Sequence, residues 1–543
     1  MSELGVLVSG LSVDPNSSNK SGHRVAFLRL PFFTPMTPPL GLGLMKAFLE
    51  SRGHRVTCHD FNVDSELWNI HHTYFAALNT YADQGSNDGY ANLWCILNAH
   101  FQAKSSGADA AVCMSLTIRL CSLFSINIDH SVAYDLHALV ERYFSRLDSI
   151  LEKISAEGVA DAEFLGVSTY TTSLASSLYA LKKLKRRFPH IKTIIGGGIF
   201  ADDFALGSEN LATMERCHDF IDHIVLGEGE LLIQKLIEGN FGAKRIISIA
   251  DLGRENLDIG DVPMPNFTDF DMDSYSHLTI EGGRSCPFQC SFCSETIQWG
   301  SYRKKSKEVL AQQMQALSIR HGNNNFFMAD SLINPYINGL SSELLSRNID
   351  VMFDGYLRAD KAVADRSKTE TYAKAGLYRV RLGMESASTR MLEIMDKRTN
   401  PGTMSEVLQS LTSAGIRPTT YWVVGHPGET EADFEETVRF VKENHQSMYE
   451  LEAHPYYYHP YGQVSSRLFE ATSIYPDDIA DVLKFQVWDV VGQIPERRER
   501  YSRLKRFSDV ASSLGIPNIY SLADRFQAEE RWLSLSPSAR EVL

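Results

Sequence analysis

The 543-residue chain contains no run of 18 apolar residues, which excludes an ordinary membrane-spanning helix. Residues 109–128 come nearest, and Arg119 with several polar side chains interrupts them. The first residues carry no basic n-region, and their apolar run is too short for a secretory signal. Cysteine is sparse. Of eight, Cys58, Cys95, Cys113, Cys121 and Cys217 show neither a disulfide framework nor a short metal-binding spacing. Free thiols of this kind indicate a soluble protein of the reducing cytoplasm, with no membrane partner. Positive charge is in deficit, 53 Lys and Arg against 67 Asp and Glu, a net charge of −14. That deficit argues against a nucleic-acid substrate and for a small molecule or a peptide.

What is present is punctuated apolar patterning. Residues 1–23 are polar and turn-rich, the composition of a disordered leader. From Arg24 the chain reads as strand, Pro-rich loop, helix and strand: Val25 to Leu28, Pro31 to Pro39, Leu40 to Arg52, then Val56 to Cys58. Such a unit belongs to an open doubly wound α/β sheet. Residues 64–160 interrupt it with helical periodicity, seen in Leu136, Leu139, Val140, Tyr143, Phe144 and Leu147. Strands resume at Phe164–Ser168, Thr193–Ile195 and Ile221–Leu226, several ending in Gly or Ser/Thr loops. A linker at about 250–275 precedes a second series of alternating strands and helices, which suits a partial or full parallel barrel. The last 70 or so residues read as a helical tail, with Glu496-Arg497-Arg498-Glu499-Arg500 as a solvated face.

The remaining cysteines, Cys286, Cys290 and Cys293, lie in Ser285-Cys286-Pro287-Phe288-Gln289-Cys290-Ser291-Phe292-Cys293. This spacing closes a tight loop that can turn three sulfurs to one centre. Three thiolates can hold three irons of a cubane cluster and leave the fourth iron open. A zinc knuckle would need a fourth ligand at short range, and only His321 follows within thirty residues. The motif, including Phe292, resembles the signature of the radical S-adenosylmethionine (SAM) enzymes. There the open iron chelates SAM, and reductive cleavage yields a 5′-deoxyadenosyl radical, with the electron supplied by a flavodoxin- or ferredoxin-type donor. The resemblance implies cluster-ligand roles for the three cysteines and a place near adenine for Phe292. Arg381-Leu382-Gly383-Met384-Glu385 resembles the superfamily's fourth-strand motif, which implies that Glu385 contacts SAM; a charge at a helix N-terminus is the plainer alternative. Arg358 is a candidate for SAM's carboxylate, and Asp330 for SAM or substrate. Gly425-His426-Pro427-Gly428-Glu429-Thr430 is read as an architectural turn.

Upstream, Pro39-Leu40-Gly41, Ser168, Thr172, Gly196-Gly197-Gly198 and Gly227-Glu228-Gly229 resemble the cobalamin-binding domain of B12-dependent radical SAM enzymes. Glycines let backbone approach a nucleotide tail, and small hydroxyls bond its polar groups. The Asp-x-His-x-x-Gly motif that ligates cobalt elsewhere is missing; Asp135-Leu136-His137 lacks the Gly, and His137 reads as an ordinary helix residue. The fold expected is therefore α/β: a Rossmann-like cobalamin-binding domain at 24–250 with the helical insertion, a radical SAM barrel at 270–470, and a helical region at 471–543. The class implies methyl transfer from methylcobalamin to an unactivated carbon or phosphinate phosphorus, as in natural-product biosynthesis. Ring-forming or rearranging chemistry is the alternative. A tRNA methylthiotransferase, with Cys58 and Cys95 in a second cluster, and a non-catalytic B12-binding protein stand further off. Tyr456 and Tyr458 are candidate substrate-pocket residues.

Overall fold

A computed structural model describes residues 22–31, 36–82, 88–253, 255 and 257–517. The leader expected at 1–23 lies almost wholly outside the described residues, as does the chain beyond 517. Two six-stranded parallel sheets organise the molecule. The first contains β1 (Arg24–Arg29), β2 (Arg55–Asp60), β3 (Phe164–Ser168), β4 (Lys192–Gly196), β5 (His223–Leu226) and β6 (Ile246–Ser248). Their order is β2-β1-β3-β4-β5-β6. Strand order reverses between β1 and β3, the place where open α/β sheets form a ligand crevice beyond the strands' C-terminal ends.

Period-two alternation assigns the faces of this sheet. Val25, Phe27, Ile194 and Val225 pack into a core shared with helices Leu40–Glu50 and Gly229–Ile237. Ala26, Leu28, Leu165, Val167, Ile195 and Ile224 face the other way, into a core with helix Leu174–Arg187 and the insertion. The insertion comprises helices Ser65–Asn79, Asp88–Ser106, Ala110–Leu123 and His130–Ile154. Asp64, Asp109 and Asp129 cap three of them by accepting from backbone N–H groups in the first turn.

The stretch expected as a linker is a packed strap. Phe267 is fully buried, and its ring lies so close to Gly43 that a Cβ there would sit 2.5 Å away. Lys46 is buried and paired at 2.9 Å with both Glu50 and Asp269. Val262, Phe267 and Phe270 belong to a core shared by both sheets, which a pattern of Pro and Asp did not reveal.

The second sheet holds β7 (Leu278–Ile280), followed in sequence by the short hairpin β8 (Gly283–Arg284) and β9 (Arg303–Lys304). It continues with β10 (Asn325–Met328), β11 (Met352–Leu357), β12 (Leu377–Glu385), β13 (Arg417–Val424) and β14 (Glu450–Pro455). The order β14-β13-β12-β11-β10-β7 has no closing pair, so this is a partial barrel. Val380, Leu382, Met384 and Trp422 point outward to the helices and are fully or almost fully buried. The alternate residues, among them Tyr356, Arg381, Tyr421, Glu452 and His454, point inward and are only partly buried. The lumen is thus polar and accessible.

The C-terminal region departs from an all-helical tail. β15 (Ala471–Ser473) and β16 (Trp488–Val490) form an antiparallel ribbon before helix Arg497–Ser513. Glu496, Arg498 and Glu499 of the charge run are exposed, as expected of a solvated face, but Arg500 at its end and Arg503 beyond it are buried, paired at 2.9 Å with Asp489 and Glu429 respectively. A run of alternating charges looks solvated by composition, but this helix crosses the ends of β13 and β14 and meets carboxylates there.

Candidate active site at the strand ends

The three cysteines occupy the loop after β7. Cys290 is buried, and Cys286 and Cys293 are half-buried. Their sulfurs do not come within 4.8 Å of one another as a set; among the described residues only His100, Cys113 and His137 do so. A single tetrahedral zinc would hold sulfurs about 3.8 Å apart, so the triad is not gathered as a mononuclear zinc site. Burial pushes the Cys293 thiol up to about 12, against the neighbouring Glu295 backbone N–H, with Glu295 and the other two cysteines adding to the rise. Thiolates in this loop need a bound cationic centre to offset that cost.

The loop is fastened by segments far away in sequence. Ser291 N–H donates to the Met395 carbonyl at 3.0 Å, and Ser465 N–H to the Ser291 carbonyl at 2.8 Å. Gln463 Nε2 donates to the Phe292 carbonyl at 2.9 Å. No local motif marks Met395, Gln463 or Ser465, which explains why sequence reasoning passed over them.

Arg358, just beyond β11, enters the same space. Its guanidinium lies 3.9 Å above the Phe288 ring, with Nη1 3.8 Å from Cys290 Sγ. Nη2 is buried without a partner, an orphaned donor that fits an incoming carboxylate. Glu385 ends β12 in the left-handed region, at φ +65°, after a bulge following Gly383. Lys397, also missed from sequence, pairs with Glu385 at 2.8 Å and stands 5.8 Å over the Phe292 ring. A Cβ at Gly383 would collide with both members of that pair.

Asp330 does not present itself to a ligand. It is buried, and both carboxylate oxygens accept from Gly282 N–H, at 3.0 and 3.2 Å, so it braces the turn leading into the triad. Tyr456 and Tyr458 are buried with Phe292, Val423 and Trp488 around them. Tyr456 packs on His426 at 4.9 Å between ring centroids. Tyr456 and Tyr458 support the triad loop from behind as core, whereas Tyr457 between them is exposed.

At the first sheet, the C-terminal ends of β3 and β4 bring Ser168 to Thr172 beside Gly196 to Gly198. Gly197 has φ +115°, and a Cβ there would sit 2.5 Å from Thr169 backbone. Thr169 Oγ1 is buried and unpartnered, a hydroxyl suited to a polar ligand group. Gly41 faces open space at the start of its helix, next to Pro39 and Leu40. Gly227-Glu228-Gly229-Glu230 is a different matter. Glu228 pairs with Arg303 and Arg284, and Glu230 and Glu281 also pair with Arg284. The expected cobalamin role of Glu228 is corrected to a buried ionic tie between the sheets, because its carboxylate is already engaged. His137 sits inside the insertion, 3.0 Å from His100, and not at the strand ends.

The C-terminal edges of the two sheets meet. His459, after β14, pairs with Asp203, beyond β4, at 3.1 Å. A Cβ at Gly462 would touch Ala201 backbone at 2.5 Å. Beside this junction, Asp202 is bonded by Ser294, the residue after the last cysteine.

Residues 280–441 match the radical SAM superfamily, and the chain carries that domain. Its fold is similar to that of the methyltransferase TsrM from Kitasatospora setae, solved with cobalamin and a [4Fe–4S] cluster bound, with a TM-score of 0.59 at 13% identity, covering 96% of this chain and 100% of that one. Among curated proteins, an uncharacterized methyltransferase of Pyrococcus horikoshii is 24% identical over 55% of this chain and 67% of its own length. The anaerobic magnesium-protoporphyrin IX monomethyl ester cyclase of Rubrivivax gelatinosus is 26% identical over 54% of this chain and 56% of its own. The match thus spans little more than half to two thirds of these relatives. No helix among the described residues is long and apolar enough to cross a membrane.

Proposed function

We propose that the protein is a cobalamin-dependent radical SAM methyltransferase that methylates an unactivated carbon or a phosphinate phosphorus of a small molecule or peptide. The meeting of the two strand-end edges supports this reading, because it would set a one-carbon donor site opposite a radical-generating site. Cys286, Cys290 and Cys293 would hold a [4Fe–4S] cluster, Arg358 the SAM carboxylate, and Glu385 with Lys397 its other polar groups. Ser168 to Thr172 and Gly196 to Gly198 would receive cobalamin. When bound, these groups supply a hydrogen-atom acceptor and a transferable methyl group. The chain's own residues orient them, exclude water through the Tyr456–Tyr458 packing, and fix substrate in the lumen lined by Tyr356, Arg381 and Tyr421. A flavodoxin- or ferredoxin-type protein would deliver the electron.

The cyclase relatives favour one second reading, ring formation with the same cofactors. Anaerobically reconstituted protein with methyl-labelled SAM separates the two. Methyl transfer predicts about four irons and stoichiometric cobalt per chain, with S-adenosylhomocysteine formed in step with labelled product. Product without S-adenosylhomocysteine would indicate ring chemistry. Twice the iron and no cobalt would point to a methylthiotransferase, although Cys58 and Cys95 lie in a strand and a helix and belong to no three-ligand group among the described residues.

A further inference from the structure

The lumen of the partial barrel carries an ion pair whose hydrogen bonding is incomplete. Arg381 reaches from β12 to β11, where its Nε and Nη2 both donate to one oxygen, Asp354 Oδ2, at 3.2 and 2.9 Å. A guanidinium fork ordinarily engages both carboxylate oxygens. Here Asp354 Oδ1 has no hydrogen-bond partner among the described residues, although Asp354 is only 2% exposed. No hydrogen bond among them engages Arg381 Nη1 either. A buried acceptor left open is costly unless something donates to it. Phe327 and Tyr356 flank the guanidinium, with ring centroids at 4.8 and 5.7 Å, and Tyr421 continues the wall at 5.9 Å from Tyr356. On the same face of β12, Gly383 stands two residues, about 7 Å, beyond Arg381. A Cβ at Gly383 would touch the Glu385–Lys397 pair, so the wall adjoins the expected SAM site.

An open donor on Arg381 beside an open acceptor on Asp354 defines the group that both would take. A carboxylate would satisfy the arginine but meet the Asp354 charge. An ammonium would satisfy Asp354 but meet the guanidinium. A neutral group with an acceptor and a donor on neighbouring atoms satisfies both. The three rings add a flat apolar surface for a planar ligand. We propose that this wall binds a planar ring of the substrate bearing a carboxamide or lactam, its carbonyl accepting from Arg381 Nη1 and its N–H donating to Asp354 Oδ1. The assignment rests on the reading of the lumen as the substrate site, and it narrows the substrate to neutral amide-bearing rings. Arg381 and Asp354 act as specificity residues, holding the ring away from the bond that changes. In the sequence Arg381 stands only four residues before Glu385, and Asp354 lies in another strand 27 residues away, so no local motif joined them.

The test uses the anaerobically reconstituted full chain and saturation-transfer NMR of benzamide and benzoate, two probes of one shape that differ in the donor. Benzamide should bind at least about fivefold more tightly than benzoate. Asp354→Asn offers an N–H in place of the open oxygen, so the preference for benzamide should fall at least about fivefold. Equal affinity for the two probes, no binding of either, or an unchanged preference in Asp354→Asn overturns the assignment and leaves water as the partner of the open positions. Should Asp354→Asn fail to fold, Tyr421→Leu decides: it should weaken benzamide at least about threefold, and an unchanged affinity refutes the site. Iron and cobalt per chain are measured on the same samples. Loss of probe selectivity with both cofactors loaded refutes this assignment alone, whereas failure to bind cobalamin refutes the reading on which it rests.

Discussion

At the scale of single residues, chemistry turns on a few buried groups whose partners are incomplete. Arg358 has one guanidinium nitrogen committed near Cys290 and another without a partner. Arg358→Lys should weaken SAM binding about 10- to 100-fold, because an ammonium cannot reproduce a bidentate fork. Equilibrium binding to the reconstituted protein checks this, with iron content unchanged. Asp330 makes the opposite point. Burial raises its carboxyl to about 7, against the Gly282 N–H that favours the ionised form. The folded chain therefore keeps a proton that the unfolded chain loses near pH 4. Its contribution to stability is full below that pH, declines as pH rises towards 7, and is gone above it. Asp330→Asn should flatten this part of the melting-temperature profile, and an unchanged slope between pH 4 and 7 would refute the assignment.

At the scale of elements, the glycines separate by what surrounds them. Gly197 ends β4 with φ +115° and has Thr169 backbone where a Cβ would go. Gly41 lies in a helix with nothing within 4 Å. Gly197→Ala should cost about 1–3 kcal/mol, whereas Gly41→Ala should be neutral or stabilise by up to about 1 kcal/mol. Thermal unfolding of the two variants side by side tests the contrast. A strand with an apolar core, Phe164–Ser168, was legible to the residue. β14 was not delimited, because Glu450, Glu452 and His454 turn into the lumen and read as loop. The ribbon β15–β16 was missed because each strand has three residues and gains its order from the chain it packs against.

At the scale of the whole molecule, the tie between the sheets is ionic as well as apolar. Arg284 is buried among Glu228, Glu230 and Glu281. Arg284→Met would strand buried Glu230 and Glu281, leaving Glu228 its pair with Arg303, a loss of about 3–5 kcal/mol. Because this arginine joins β8 to the first sheet, calorimetry should show one unfolding transition splitting into two. A single transition shifted by less than 1 °C would show that the apolar strap alone holds the halves together.

The sequence by itself determined the chemistry class. Cysteines separated by three and by two residues, strand runs ending in glycine, and the Arg381-to-Glu385 motif are local signals, set by short-range geometry. Only the tertiary structure decided which expected ligands are free. Glu228 is consumed by arginines more than fifty residues away, Asp330 by Gly282, and Tyr456 by His426. It also supplied Lys397, Gln463 and the paired histidines of the insertion. Partnering between distant segments depends on the register of packed elements, and that information is not written at any one place along the chain.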